Sequence, residues 1–255
     1  MSNSKKRCKI IRNKILDLSK KVPALHIGGA FSSVELIERV YFQYMKSKDT
    51  FILSKGHSGV LLYVVLNLKG KISDKELNLY CKKKGKLGVH PDFGTFGINA
   101  STGSLGHGLS LAAGMALAEK NKKKKFVVLM SDGELQEGSV WESVLFISSR
   151  NLKNITIIID NNDLQSSTKA SETHPTLYPI EKKFHAFGWS SSLCNGHDSV
   201  EIQKKLNSKH QKPFALIAKT IKGYPISFMK NNPKWHYRSP NDEELFQAKR
   251  ELNIK

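Results

Sequence analysis

Phe126-Val127-Val128-Leu129-Met130-Ser131-Asp132-Gly133-Glu134 is the stretch on which the reading of this chain turns. An unbroken apolar run gives way at once to a hydroxyl, a carboxylate and a glycine. A run this short and this apolar is the pattern of a strand buried on both faces, as in a parallel sheet. Residues 155–159 repeat the pattern and break into Asp160-Asn161-Asn162-Asp163-Leu164. Each polar cluster therefore follows a strand. In open parallel sheets, ligands bind beyond the carboxyl ends of the strands.

Outward from these strands, elements alternate. Residues 138–149 read as a helix, 178–187 as a second, 189–193 as a strand, 199–206 as a helix and 214–218 as a strand. Toward the N-terminus, Ser32-Ser33-Val34-Glu35 and Ser73-Asp74-Lys75-Glu76 have the form of capping boxes. They should open helices running to about Tyr44 and about Lys83. Between them, Phe51-Ile52-Leu53-Ser54 ends in the turn Lys55-Gly56-His57, and a helical run reaches about Leu68. Residues 85–108 are glycine-rich and aperiodic, so a loop is expected there, leading into a helix up to Ala118. Ile10, Ile11, Ile15, Leu16 and Leu18 have helical spacing. The order implies an α/β fold, a mostly parallel sheet with helices on both faces, in one domain over residues 1–255.

Composition narrows the function. No apolar run reaches the roughly 20 residues that span a bilayer, and no signal-peptide core follows the N-terminus, so a cytoplasmic protein is expected. Cys8, Cys81 and Cys194 are scattered, which argues against a disulfide framework or a zinc site. The net charge of +19 allows a nucleic-acid, acidic-protein or small-anion partner. The excess is nearly all lysine, whereas base readout leans on arginine forks, so nucleic acid is not the expected partner. The tract 122–125 reads as a solvated loop before a strand.

The polar clusters carry the chemistry. A carboxylate, an amide oxygen and a loop carbonyl are hard donors that suit magnesium or calcium, with phosphate oxygens completing the shell. Gly133 lets the backbone approach a diphosphate. Asp-Gly and Asn-Asn are also ordinary turn residues; two such clusters at the ends of sequential strands favour the functional reading.

Asp132-Gly133-Glu134 and Asn161-Asn162 together resemble the thiamine-diphosphate motif, with 30 positions from Asp132 to Asn162. Leu135-Gln136-Glu137-Gly138-Ser139-Val140-Trp141-Glu142 and Thr102-Gly103-Ser104-Leu105-Gly106-His107-Gly108 resemble segments of transketolases. Phe51 to His57, Val89-His90-Pro91 and Trp235-His236 resemble further motifs of that family, in order. The resemblance covers about His26 to about Leu245 and implies transfer of a two-carbon ketol unit from a ketose donor to an aldehyde acceptor. It implies thiamine diphosphate and Mg2+ (or Ca2+ or Mn2+) as cofactors.

Roles follow by resemblance, residue by residue. Asp132, the Asn162 side chain and the Leu164 carbonyl should hold the metal. His57, Gly133, His236 and Lys222 should meet the diphosphate, and Gly103 and Leu105 should line the cofactor. His26, His57, His90 and His236 should surround the reacting atoms, and Glu137 should lie where cofactor-binding halves meet. Histidines suit a sugar site because they exchange protons near neutral pH. His174, His185, His197 and His210 are expected to be structural or exposed, with His197 in a turn.

Three positions depart from the family. Ser131 stands where glycine is usual, His107 where glutamine is common, and Tyr237-Arg238 where glycine is usual. The last pair could narrow the substrate entrance, or Arg238 could meet an anionic sugar group. Full-length transketolases continue into a pyrimidine-binding domain, whose glutamate contacts the cofactor's pyrimidine, and a C-terminal domain. This sequence stops at Lys255, about where the first domain ends. A separate C-terminal subunit is therefore expected as partner, in an assembly of two copies of each chain, with sugars or sugar phosphates as substrates. The alternatives are ketol transfer to an unusual or nucleotide-linked sugar, and a non-catalytic cofactor-binding scaffold.

Overall fold

The computed structural model describes residues 3–121 and 123–254; Lys122, at the head of the lysine tract, lies outside them. The described strands are β1 (Thr50–Leu53), β2 (Phe126–Ser131), β3 (Ile155–Asn161), β4 (Leu164–Gln165), β5 (Thr168–Lys169), β6 (Ser190–Asn195) and β7 (Phe214–Lys219). Five form one sheet in the order β1-β2-β3-β7-β6, with every neighbour parallel. β4 and β5 form an antiparallel hairpin.

Side-chain alternation divides the core into two layers. Val127, Leu129, Ile158 and Leu216 face one layer, against Ile11, Ile15, Phe31, Ile37, Val60 and Ile202. Val128, Met130, Ile157, Ile159 and Ile217 face the other, against Leu109, Ala113, Val140, Val144 and Phe184. Helices Asn3–Ser19, Ile27–Ser32, Val34–Arg39, Gly59–Leu68 and Ser199–Leu206 supply the first layer; Gly108–Ala118, Gly138–Ser149 and Ile180–Ala186 supply the second. Each such strand residue is wholly buried, which stabilises the fold by about 1.5–3 kcal/mol per large aliphatic side chain. This double burial is why the strand sequences are continuously apolar.

Register positions the site. Ser131 pairs with Asp160, and Asp160 with Ala218. The polar residues after β2, β3 and β7 therefore open on one edge.

The capping expectations are corrected. Ser33 does precede helix Val34–Arg39, yet its hydroxyl caps nothing. The Ser32 and Ser33 hydroxyls donate instead to Asp160, at 2.6 and 2.9 Å. Glu35 is taken by Arg12, at 2.7 and 2.8 Å. The helix continues as a π-helical turn, Val40–Tyr44. Ser73 accepts from the Glu76 amide, but Glu76 turns its carboxylate to the Lys86 amide, and the helix spans only Asp74–Asn78. A complete capping box forms at Asn241 and Glu244, opening helix Asp242–Glu251. In the N-terminal helix Ile10 faces outward, while Ile11, Ile15, Leu16 and Leu18 are buried.

Candidate active site

The cavity at the carboxyl edge of the sheet has a volume of about 340 Å³. His57, Leu105, Asp132, Gly133, Glu137 and Asn162 line it, with Leu164, Lys222 and His236 closing it from the β3 and β7 side. Each reaches it for a local reason. His57 sits in the single turn Gly56–Ser58 directly after β1. Asp132 directly follows β2, and Asn162 directly follows β3. Lys222 follows β7 in the segment that carries His236 in the turn Pro233–His236.

His26, His90 and Gly103 do not line this cavity but adjoin it. The His26 ring lies 5.3 Å from that of His57, 5.2 Å from His236 and 4.6 Å from Tyr237, centroid to centroid. Gly103 lies against His90, whose ring carbons would stand 3.2 Å from any added Cβ. Gly106 has φ +86°, and a Cβ there would meet Glu137 Cβ at 2.7 Å, so this loop needs glycine to approach the helix start.

The three residues expected to hold the metal line the same cavity. Asp132 is 1% exposed. Its oxygens accept only from the amides of Gly133 at 2.8 Å and Asp163 at 2.6 Å. Burial, followed by the nearby Asp160 carboxylate, pushes its acid up to about 7. A buried carboxylate that forms no ion pair among the described residues is what a divalent ion would compensate. Asn162 Oδ1 accepts from the Leu164 amide at 3.0 Å, and the Leu164 carbonyl accepts from Lys222 Nζ at 3.1 Å. Among the described residues no group of three or more His, Cys, Asp or Glu side chains could hold a metal. The donors expected here would be one carboxylate, one amide and one carbonyl, a hard-oxygen set that phosphate or water would complete.

The bases are held neutral. Burial, then His236 and His90, lowers His26 to about 4. Burial, then Lys222 and Lys55, lowers His236 to about 4. Burial and Lys55 hold His57 well below the usual imidazole value. Lys222 is lowered to about 8, chiefly by burial and then by Lys55; its Nζ lies 3.0 Å from His236 Nδ1. The buried His26 Nδ1 has no hydrogen-bond partner among the described residues. Neutral imidazoles can both donate to and accept from sugar hydroxyls at neutral pH.

Three buried residues under the cavity escaped the sequence reading as site residues. Asp160 is fully buried and accepts from Ser32, Ser33, Lys55, Thr220 and Asn162. Its hold on Asn162 Nδ2 turns the amide oxygen away from it. Burial alone would raise its acid, but Lys55 and the hydroxyls hold it low. Lys55 also donates to the Gly29 carbonyl and Ser33. Glu134 accepts from Ser54 and from the Gly106 amide at 3.0 Å, tying the 103–106 loop to the turn after β2. The one signal was position: a charged residue next to a buried strand.

The family departures resolve differently. Ser131 lines the cavity and accepts from the Glu134 amide. His107 is exposed and turned onto the Leu105 carbonyl at 2.9 Å. Tyr237 stands beside His26. Arg238 is already engaged, with Glu244 at 2.6 Å and over the Trp235 ring at 4.2 Å. His197 is more than a turn residue: its ring lies 3.2 Å from Glu35, accepts from the Ile221 amide at 2.9 Å and stacks on Tyr224. His174 and His185 are exposed, and His210 stacks on Phe214.

Residues 4–255 match the family model described as transketolase, thiamine diphosphate binding domain. The chain belongs to the transketolase family. It is 37% identical over 262 residues to an apulose-4-phosphate transketolase subunit of Actinobacillus succinogenes, covering 97% of this chain and 95% of that one. It is 33% identical over 258 residues to a 6-deoxy-6-sulfo-D-fructose transketolase subunit of a Clostridium species, covering 95% and 94%. Among solved structures, the transketolase of Campylobacter jejuni superposes with a TM-score of 0.91 at 25% identity, covering all of this chain and 44% of that one. This transketolase-family chain thus spans under half the length of that solved chain, and nearly all of the two subunit relatives. It is an N-terminal-type transketolase subunit, and ketol transfer is its chemistry. No helix among the described residues is long and apolar enough to cross a membrane.

Proposed function

We propose that this chain is the diphosphate-binding subunit of a two-chain cytoplasmic transketolase acting on an uncommon, anionic ketose. The observation that carries the reading is the convergence of Asp132, Asn162, the Leu164 carbonyl, Lys222 and neutral histidines on one cavity. Asp132, Asn162 Oδ1 and the Leu164 carbonyl hold Mg2+, with Ca2+ or Mn2+ as substitutes. Gly133, His57, His236 and Lys222 meet the diphosphate, and Gly103 and Leu105 form the wall beside it. Bound there, thiamine diphosphate supplies the electron sink for breaking the C2–C3 bond of the ketose.

The remaining work falls to the chain's own side chains. His26, His57, His90 and His236 orient the sugar hydroxyls and move protons to and from them. Glu137 is exposed at the start of helix Gly138–Ser149 and faces the partner's cofactor half. A separate subunit supplies the glutamate for the pyrimidine, in an assembly of two copies of each chain. Both subunit relatives are named for sugars with a phosphate or sulfonate group, which supports an anionic substrate over a nucleotide-linked one.

The test is reconstitution. The purified chain should show no ketol transfer with ketose phosphates or a sulfonated ketose. Addition of the candidate second subunit should restore turnover in the presence of thiamine diphosphate and Mg2+. Robust turnover by this chain alone would overturn the two-chain reading.

A further inference from the structure

A second cavity, of about 350 Å³, lies at the amino end of β1, the end away from the candidate site. The two cavities share no lining residue, and the inference does not depend on the proposed function. Its volume is within the range of small-molecule sites. Tyr41, Met45, Phe51 and Leu66 form an apolar floor. The Tyr41 and Phe51 rings meet edge to face, 5.1 Å between centroids.

The rim is cationic. Lys46, Lys69 and Lys71 line the same cavity. Among the described residues none of them forms an ion pair. Lys69 only rests its ammonium over the Phe42 ring, at 5.1 Å. Asp49, the one acid in the lining, is already occupied: it accepts from the amides of Lys46 at 2.8 Å and Lys125 at 2.9 Å. Most exposed lysines on folded proteins are solvated singly. Three bordering one apolar hollow, with the local carboxylate turned to backbone, suit it to an anion that carries a hydrophobic body.

The backbone adds a further feature. Tyr41 is carried by the π-helical turn Val40–Tyr44, closed by the Met45 amide on the Val40 carbonyl at 2.9 Å. Such turns are rare and recur where a backbone presents a functional side chain.

We propose that this cavity binds a small organic phosphate, a phosphomonoester carried on a flat apolar body. The body lies on Tyr41, Met45, Phe51 and Leu66. The phosphate meets Lys46, Lys69 and Lys71, where charge-assisted hydrogen bonds are the strong ones.

The experiment is calorimetric titration of the purified chain with adenosine monophosphate, phenyl phosphate and inorganic phosphate, repeated after addition of thiamine diphosphate and Mg2+. At least one of the two esters should bind at least tenfold more tightly than inorganic phosphate, and a nucleotide source is supported if adenosine monophosphate is the tighter. Lys69→Glu/Lys71→Glu should weaken that ester at least tenfold. Should the double variant fail to fold, Lys46→Glu reads the same loss. Esters binding no more tightly than inorganic phosphate, their displacement by thiamine diphosphate, or unchanged affinity in the folded lysine variants would overturn the proposal.

Discussion

Two buried charged regions flank β3, and they are built on opposite terms. Behind the sheet, Arg12 and Glu35 form a bidentate pair, Arg12 also donates to the Phe31 carbonyl, and His197 leans on Glu35. Each charge in this knot faces its complement. At the carboxyl edge, among the described residues, Asp132 has only amides for hydrogen-bond partners, His26 Nδ1 has none, and Lys222 lies beside the imidazole of His236. Burial is similar in both; pairing is not. The knot joins helix Asn3–Ser19 to helix Val34–Arg39 and to the segment after β7. The cavity keeps its polar groups available for something from outside. His197 and His26 are the same residue type, both in segments that resemble transketolases, and only the completeness of their contacts separates their roles.

The contrast breaks first at Arg12. Arg12→Ala leaves Glu35 buried without its counter-ion and should cost about 3–5 kcal/mol of stability, read by denaturant unfolding. His197→Ala should cost less, because Arg12 remains. A loss below about 1 kcal/mol in Arg12→Ala, the range of an exposed pair, would mean that the knot is not a structural unit.

The cavity should respond in the other direction. His26→Ala and His90→Ala, each assayed in the reconstituted enzyme, should lower turnover by about 100-fold or more, as expected for groups that position or transfer protons. Their melting temperatures should stay near that of the parent chain. Variants that melt early yet turn over normally per folded molecule would place both histidines with the knot.

A smaller effect is expected from Asp132→Ala. Affinity for thiamine diphosphate in Mg2+ should fall at least tenfold, about 1.4 kcal/mol. The ligand-free chain should lose little stability, since this carboxylate forms no ion pair among the described residues. Equal cofactor affinity in parent and variant, with the partner subunit present, would remove Asp132 from the metal set.

The subtlest comparison uses pH. Burial would raise Glu35, but Arg12 and His197 more than offset it and hold it at about 2, below its ordinary 4.5. A depressed acid contributes stability that is present above its unfolded value and lost as pH falls through its folded one. The parent chain should therefore lose this contribution between about pH 4.5 and 2, and Glu35→Gln should not. Parallel stability curves for the two through that window would show that Glu35 is not held low.

These contrasts also explain what could be read from the sequence. The runs ending at Asp132 and Asn162 were legible because double burial makes a strand continuously apolar and forces a sharp polar boundary at its end. Helices Gly138–Ser149 and Ser199–Leu206 were legible to the residue. Ser32-Ser33-Val34-Glu35 was not, because its hydroxyls bond Asp160 and its carboxylate bonds Arg12, partners 128 and 23 residues away. A local rule cannot see a distant competitor. Lys55 and Asp160 were invisible as a pair for the same reason, at a separation of 105 residues. The histidines of the site could be nominated only through resemblance, since nothing in their own spacing predicts that His26, His57 and His236 meet.

That meeting has a consequence for the order in which the molecule becomes competent. His26 and Arg238 join in an isolated parallel bridge, bringing a residue from early in the chain beside one from late in it. Contacts of such long sequence separation form late, because loop closure must precede them. On a ribosome, β1, β2 and β3 can be complete while the cavity still lacks Lys222 and His236. A chain cut short before Lys222 would hold those strands beside an incomplete cavity.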